Sequence, residues 1–201
     1  IEMTAAYAAI ANAGTYTKPI LYTQVLDHEG NVLLDNSTPD THQVIKDSTA
    51  ALLTSAMQDV ITKGTGTAAR MANMPVAGKT GTTENSTDLW LSAYTPYYTA
   101  SVWGGYDSNK PMESMNQSWH MTLWKNIMER VHEGLPYKDF TMPASVQHKT
   151  ICTQTGLLAT SSCPALTEYF AEGTVPSQSC SGHYVAPSED ETEENDDDSS
   201  D

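Results

Sequence analysis

The chain has 201 residues and a formal net charge of −15; nine of its acidic residues fall between positions 189 and 201, which leaves −6 for everything before them. Neither part has the basic surface that nucleic acid demands, and no apolar run is long enough to span a bilayer. The end, "SEDETEENDDDSSD", has no apolar residue and repels itself, so 188–201 is expected to be a disordered acidic tail.

The first segment, "IEMTAAYAAIANAG", reads as a helix with Met3, Tyr7 and Ile10 on one face and Gly14 at its stop. It begins at Ile1 with no N-cap, so the chain is expected to be the C-terminal piece of a longer protein. "KPILYTQVLDHEGNVLLDN" predicts a hairpin turning over Asp27 to Gly30. "KDSTAALLTSAMQDVITKG" predicts a helix capped by Asp47 or Ser48. Its stripe is Leu52, Leu53, Ala56, Met57, Val60 and Ile61, with Gly64 at the end. A glycine-broken connector, "GTGTAARMANM", comes next. "SWHMTLWKNIMERVHEG" predicts a last helix whose core stripe is Trp119, Leu123, Ile127 and Val131.

Between these helices lies "PVAGKTGTTENSTDLWLSAY". Gly78-Lys79-Thr80 has the look of a phosphate-binding loop, but that pattern needs a second Gly where this chain has Asn73. The loop must also open into a helix. The chain continues instead as "DLWLSAYTPYYTASVWGGYD", whose Tyr, Trp, Thr and Val around a Pro predict two strands and a turn. Lys79 to Thr82 therefore lie on a strand. There, alternation puts Lys79 and Gly81 on one face and Thr80 and Thr82 on the other.

Lys79-Thr80-Gly81 resembles the third motif of the penicillin-binding proteins. "MTAAYAAIANAGTYTKP", "LLTSAMQDVITKGTGTAA", "PVAGKTGTT" and "YTPYYTASVWGGYD" extend that resemblance in order over residues 1–134. They look like the C-terminal half of the transpeptidase domain of the bifunctional class A members. The resemblance implies an α/β fold, a partial serine transpeptidase or β-lactamase-like domain with an antiparallel sheet flanked by helices. It implies residues 135–187 as an irregular Cys-containing extension, similar to those of some Gram-positive members. It also implies a peptidoglycan DD-transpeptidase acting through an acyl-serine, with stem peptides ending in D-Ala-D-Ala and β-lactams as ligands. The whole protein would carry a glycosyltransferase domain and a membrane anchor outside this chain, and work on the extracytoplasmic face of the plasma membrane.

In that scheme the hydroxyls of Thr80 and Thr82 bind the substrate carboxylate, and the backbone N–H of Thr82 is an oxyanion-hole donor. Lys79 supplies positive potential and a hydrogen bond to the second-motif Ser, and Gly81 allows close approach. Lys79 and Thr82 are the catalytic candidates; Thr80, Gly81 and Thr82 are the substrate-binding ones. No cofactor and no metal is expected.

The chain departs from the family pattern at two motifs. No Ser is followed three residues later by Lys, and no G-x-S-x-G elbow is present. Ser114-Met115-Asn116 spells S-x-N but after Lys79, where the family has it before, so it is read as a chance match in the loop ahead of the last helix. Nucleophile and general base are expected upstream of Ile1, leaving this chain inert alone. Two rivals stand beside the transpeptidase: a β-lactamase or DD-carboxypeptidase on the same fold, and a non-catalytic sensor or scaffold. Cys152, Cys163, Cys180 and His183 allow a Cys₃His zinc site, but the first two cysteines lack the close pairing of zinc ribbons. A Cys152–Cys163 disulfide is the alternative, and it leaves one cysteine unplaced.

Overall fold

The structure is a computed structural model that describes residues 1–112 and 116–183. The expected acidic tail over 188–201 lies outside the described residues, as do Ser114 and Met115. The chain divides into two compact units, residues 1–147 and 148–201.

In the first unit the central element is an antiparallel sheet of β5 (Ala77–Thr82), β6 (Asp88–Tyr94) and β7 (Thr99–Gly105), in that order. This is the predicted strand at Lys79 and the predicted pair around Pro96. The register sets Lys79 opposite Ser92, Thr80 opposite Leu91, Gly81 opposite Trp90 and Thr82 opposite Leu89. β6 is the middle strand, and Leu89, Leu91, Ala93 and Tyr94 are fully buried.

Three helices serve this sheet: α1 (Glu2–Ala11), α2 (Asp47–Thr62) and α3 (Trp119–Val131). One core cluster joins Leu91 and Ala93 to Ile61 of α2 and to Met121, Trp124 and Met128 of α3. A second gathers Met57 of α2, Ala77 and Tyr94, with Tyr7 and Ile10 of α1 and Phe140 packed against it. α2 thus contributes to both clusters. Gly14 ends α1 as predicted: its φ is +85° and its N–H donates to Ala9 O at 2.8 Å, a left-handed stop that Gly adopts without steric cost.

Two helix-face expectations need correction. On α3 the stripe of Leu123, Ile127 and Val131 faces outward, at 42, 48 and 48% exposure, and the core face is His120, Met121, Trp124 and Met128. The Trp124 indole decides the orientation: it is buried and donates Nε1–H to Ala100 O of β7 at 3.0 Å. On α2 the buried face is made of small residues, Ser48, Ala50, Ala51 and Thr54, with Met57 and Ile61; Leu53 and Ala56 are not part of it. On that face a 2.8 Å hydrogen bond between Thr54 Oγ1 and Tyr94 OH ties the helix to β6. On α1, Tyr7 and Ile10 of the predicted face pack against the second cluster, Met3 at its start is exposed, and Ala5 and Ala9 are buried beside them.

The predicted hairpin is present as β2 (Gln24–Leu26) and β3 (Val32–Asp35). Asp27 Oδ1 accepts the N–H groups of Glu29 and Asn31, both at 2.9 Å, and Gly30 has φ +88°. Its apolar residues Leu26, Val32, Leu33 and Leu34 are exposed. A further two-stranded pairing, β1 (Thr15–Thr17) with β4 (Thr41–Gln43), brackets this hairpin in sequence. β8 (Val146–Cys152), most of which belongs to the second unit, and β9 (Ala165–Ala171) form a two-stranded sheet. Among the described residues no helix is long and apolar enough to cross a membrane.

Candidate functional site

β5 is an edge strand: β6 pairs one side of it, and no described strand pairs the other. Its first half is locked. Ala77 and Gly78 are buried, and a Cβ on Gly78 would lie 2.4 Å from the Ala93 Cβ and 2.9 Å from the Ser92 carbonyl oxygen. Only a residue without a side chain lets β5 lie this close to β6. Its second half opens outward, with Lys79 and Thr82 exposed and Thr80 and Gly81 partly buried.

The register sorts the four candidate residues by face. Lys79 and Gly81 share a face with Ser92 and Trp90, and Thr80 and Thr82 share the other with Leu91 and Leu89. Lys79 folds back so that Nζ donates to Thr80 O at 2.7 Å. Thr80 Oγ1 is 2.7 Å from Thr65 Oγ1, a hydroxyl pair in which either can donate. Gly81 faces Trp90, whose Cβ would lie 3.3 Å from a Cβ at that position, and the Trp90 ring is inclined toward Trp103 at 6.4 Å. The four are thus adjacent on one strand, but not on one face.

The β5–β6 connection is held by Asp88. Its Oδ1 accepts Trp103 Nε1–H at 2.9 Å, and its Oδ2 accepts the hydroxyls of Thr83 at 3.1 Å and Thr87 at 3.3 Å. The Trp103 indole, then the Thr83 and Thr87 hydroxyls, hold the Asp88 carboxyl below its ordinary pKa. The loop itself is tight, with Asn85 and Ser86 at φ +58° and +51°. Asp88 thus holds Thr83, the residue that follows the last residue of β5, and so fixes where the strand stops.

The β6–β7 turn is tied to α3 by a second network. Thr95 Oγ1 accepts the N–H groups of Tyr97 at 3.1 Å and Tyr98 at 3.2 Å, and lies 2.8 Å from His132 Nε2. His132 Nδ1 is 2.6 Å from the Met128 carbonyl, which can only accept. Nδ1 therefore carries the imidazole proton, and Nε2 accepts from Thr95.

Asn116, of the chance S-x-N match, accepts the Ser118 N–H at 3.0 Å and hydroxyl at 2.8 Å, so it organises the start of α3. Sequence reasoning passed over Thr65, Asp88 and the Thr95–His132 pair. Only the Thr-x-x-x-x-Asp spacing after the Lys-Thr-Gly strand, a local side-chain-to-backbone motif, signalled one of them. Two surface clefts lie apart from the strand: one of about 280 Å³ lined by Ile10, Asp47, Thr54 and Phe140, and one of about 700 Å³ lined by Ala8, Pro19, Tyr97 and Tyr98. Neither includes a residue of β5. The strand is an open wall with a cation, two hydroxyls and exposed backbone. It can bind an anionic, extended ligand, and it carries no paired nucleophile and base of its own.

Residues 1–129 match the family described as penicillin binding protein transpeptidase domain, and residues 142–184 match penicillin-binding protein 1A, C-terminal domain. Penicillin-binding protein 1A of Clostridium perfringens is 32% identical over 188 residues, covering 90% of this chain and 23% of the relative. Penicillin-binding protein 2D of Bacillus subtilis is 36% identical over 193 residues, covering 90% and 27%. The chain spans about a quarter of the length of these curated relatives. Among solved structures, penicillin-binding protein 1A from Haemophilus influenzae superposes with a TM-score of 0.77 over 89% of this chain and 32% of that one; at 23% identity this speaks to the fold. The penicillin-binding protein PonA1 from Mycobacterium tuberculosis is 28% identical, with a TM-score of 0.63 over 71% of this chain and 40% of that one.

Proposed function

The chain belongs to the penicillin-binding protein transpeptidase family, and from that membership we propose that β5 is the carboxylate-binding and oxyanion-stabilising wall of a class A peptidoglycan DD-transpeptidase. The observation that carries this reading is the strand itself: Lys79-Thr80-Gly81-Thr82 on an edge that no described strand covers, with Lys79 and Thr82 exposed. The substrate is a stem peptide ending in D-Ala-D-Ala, and β-lactams are its mimics.

Catalysis by such a wall is electrostatic. A Ser Oγ attacks the carbonyl carbon of the penultimate D-Ala, and its proton passes through a base to the departing amine. The C–N bond to the terminal D-Ala breaks as an acyl-serine forms, and an amine of a neighbouring stem peptide later displaces the serine. Negative charge builds on the carbonyl oxygen in each step, and the Thr82 N–H stabilises it, a contribution of about 3–4 kcal/mol for one such donor. Thr80 and Thr82 hydroxyls hold the substrate carboxylate, and the Lys79 ammonium supports both charges. Gly81 keeps the approach clear.

Serine and base come from a segment of the full-length protein that precedes this chain, which has no S-x-x-K of its own. The whole protein works at the extracytoplasmic face of the plasma membrane. Labelling with a fluorescent penicillin tests the reading. The full-length protein should form an adduct that survives denaturation and maps to a Ser preceding Ile1, whereas the 201-residue chain alone should form none. An adduct on a Ser within this chain, or none on the full-length protein, refutes the assignment.

A further inference from the structure

The described part of the second unit, residues 148–183, has little burial to hold it together. From 148 to 183 the only buried residues are Cys152, at 0% exposure, and Cys180, at 3%. Leu166 is exposed, and the remaining apolar side chains of this stretch are no better than partly covered. A unit of this size cannot build a sufficient apolar core, and such units are stapled by disulfides or by a metal. All three cysteines are free thiols, in place of the Cys152–Cys163 disulfide that the sequence left open.

The backbone converges on those thiols. Cys152 ends β8 and enters a turn in which Gly156 N–H donates to Cys152 O and Cys152 N–H to Leu157 O, both at 2.8 Å. Leu158 N–H donates to Gln178 O at 3.0 Å and Cys180 N–H to Leu158 O at 2.8 Å, which lays the Cys180 segment beside the Cys152 turn. Gly182, at φ +95°, then turns His183 inward. His183 Nε2 lies 3.2 Å from both Cys152 Sγ and Cys180 Sγ. Cys163 closes the group, and its sulfur receives the Thr160 N–H at 3.5 Å. The three sulfurs and the histidine nitrogen all lie within 4.8 Å of one another.

We propose that Cys152, Cys163, Cys180 and His183 bind one zinc ion in a closed Cys₃His site that holds the second unit folded. With Zn–S near 2.3 Å and Zn–N near 2.0–2.1 Å, a tetrahedral site has edges of roughly 3.4–3.8 Å. The 3.2 Å pairs already approach that spacing, and small side-chain rotations bring in the rest. Three thiolates and one imidazole in a tetrahedral arrangement select zinc by softness and geometry. Four protein ligands leave no position for water, so the site is structural and takes no part in acyl transfer. Ligands spread as C-x₁₀-C-x₁₆-C-x₂-H escape the usual close-paired pattern, and the sequence-based expectation of no metal is set aside.

The test is elemental analysis of the full chain after purification with reductant and dialysis against metal-free buffer. About one zinc per chain is expected. Cys180→Ser and His183→Ala should each lower that content at least fivefold. His148→Ala, which removes a histidine of the same unit set edge-on to Tyr169 at 4.4 Å, should leave it unchanged. Cobalt substitution should give the charge-transfer and visible ligand-field bands of tetrahedral thiolate coordination, and all three thiols should resist maleimide until a chelator is added. Zinc below about one-tenth per chain overturns the proposal. So does parental zinc content in Cys180→Ser, or a Cys152–Cys163 disulfide in protein whose thiols are alkylated in the cell before lysis.

Discussion

Two glycines three residues apart on β5 separate what the strand does for the fold from what it does for the ligand. A Cβ at position 78 would meet the Ala93 Cβ at 2.4 Å, its Cα at 2.9 Å and the Ser92 carbonyl at 2.9 Å. Non-bonded carbons settle at about 3.5–4.0 Å, so Gly78→Ala requires β5 to part from β6 by about 1 Å. Ala93 is fully buried and cannot yield. Overpacking of this kind costs about 1–3 kcal/mol, or a fall in thermal midpoint of about 2–12 °C for a domain of this size. A 1 Å displacement of Lys79 to Thr82 should slow acylation by about 100-fold. Gly81→Ala is different: its Cβ meets the Trp90 Cβ at 3.3 Å, a contact relieved by a few tenths of an ångström. Its midpoint should stay within about 2 °C of the parent, while acylation slows because the methyl group enters the ligand's path. The assay is the second-order rate of labelling by a fluorescent penicillin, with the thermal midpoint, on the full-length protein and both variants. A Gly78→Ala variant with the parental midpoint, or a Gly81→Ala variant as unstable as Gly78→Ala, refutes the reasoning.

Thr82→Val keeps the backbone N–H and the β-branched shape but removes a hydroxyl. A hydrogen bond to a charged group contributes about 1.5–3 kcal/mol, so acylation should slow by roughly 10- to 150-fold. Lys79→Ala should be at least as damaging, and both should unfold within a few degrees of the parent; parental acylation rates in the two would remove the strand from the mechanism. His120 on α3 is buried, and burial, which outweighs an opposing pull from the Trp90 backbone, holds its pKa down. Above the ordinary imidazole value of about 6.5 it is neutral folded and unfolded. Below that value the unfolded chain takes up a proton that the folded one refuses. Stability therefore falls with pH by at most about 1.4 kcal/mol per unit until the folded pKa is passed. Denaturant titrations at stepped pH should show a shallower acid slope for His120→Leu, and an unchanged slope would mean that another group carries it.

The central sheet was legible because β6 and β7 are written in aromatic and β-branched residues with a Pro at the turn, while β5, with two glycines and no aromatic residue, was placed by the Lys-Thr-Gly motif that precedes them. The α3 helix was legible as a helix but not in its orientation. Leu123, Ile127 and Val131 make as good a stripe as Met121, Trp124 and Met128, and the choice falls to the Trp124 indole bond, a tertiary contact. The buried face of α2 was hidden for the opposite reason, since Ser48, Ala50, Ala51 and Thr54 carry little hydropathy. Lys79 to Thr82 could be read directly, but their support could not. Thr65 sits in a connector that resembles any glycine-rich loop, and its partnership with Thr80 exists only once the chain has folded back. The four candidate ligands could be picked out in the sequence, but their spacing lacked the close pairing of a zinc ribbon and did not say that they meet. The bridges at Leu158 set Cys152 beside Cys180, and the Thr153 N–H donated to Pro164 O brings in the Cys163 segment.

The open side of β5 has a cost in solution as well as a use. A strand edge that no described strand pairs offers backbone donors and acceptors to a strand from any chain, including another copy of this one. Natural sheets discourage such pairing with a charge on the exposed edge and a proline at its start, and β5 has Lys79 within it and Pro75 just ahead. The same ammonium thus excludes the wrong strand while attracting the right anion. Discrimination between self-association and substrate is written into a single side chain, and removing it should leave a protein that clumps on concentration before it loses its fold.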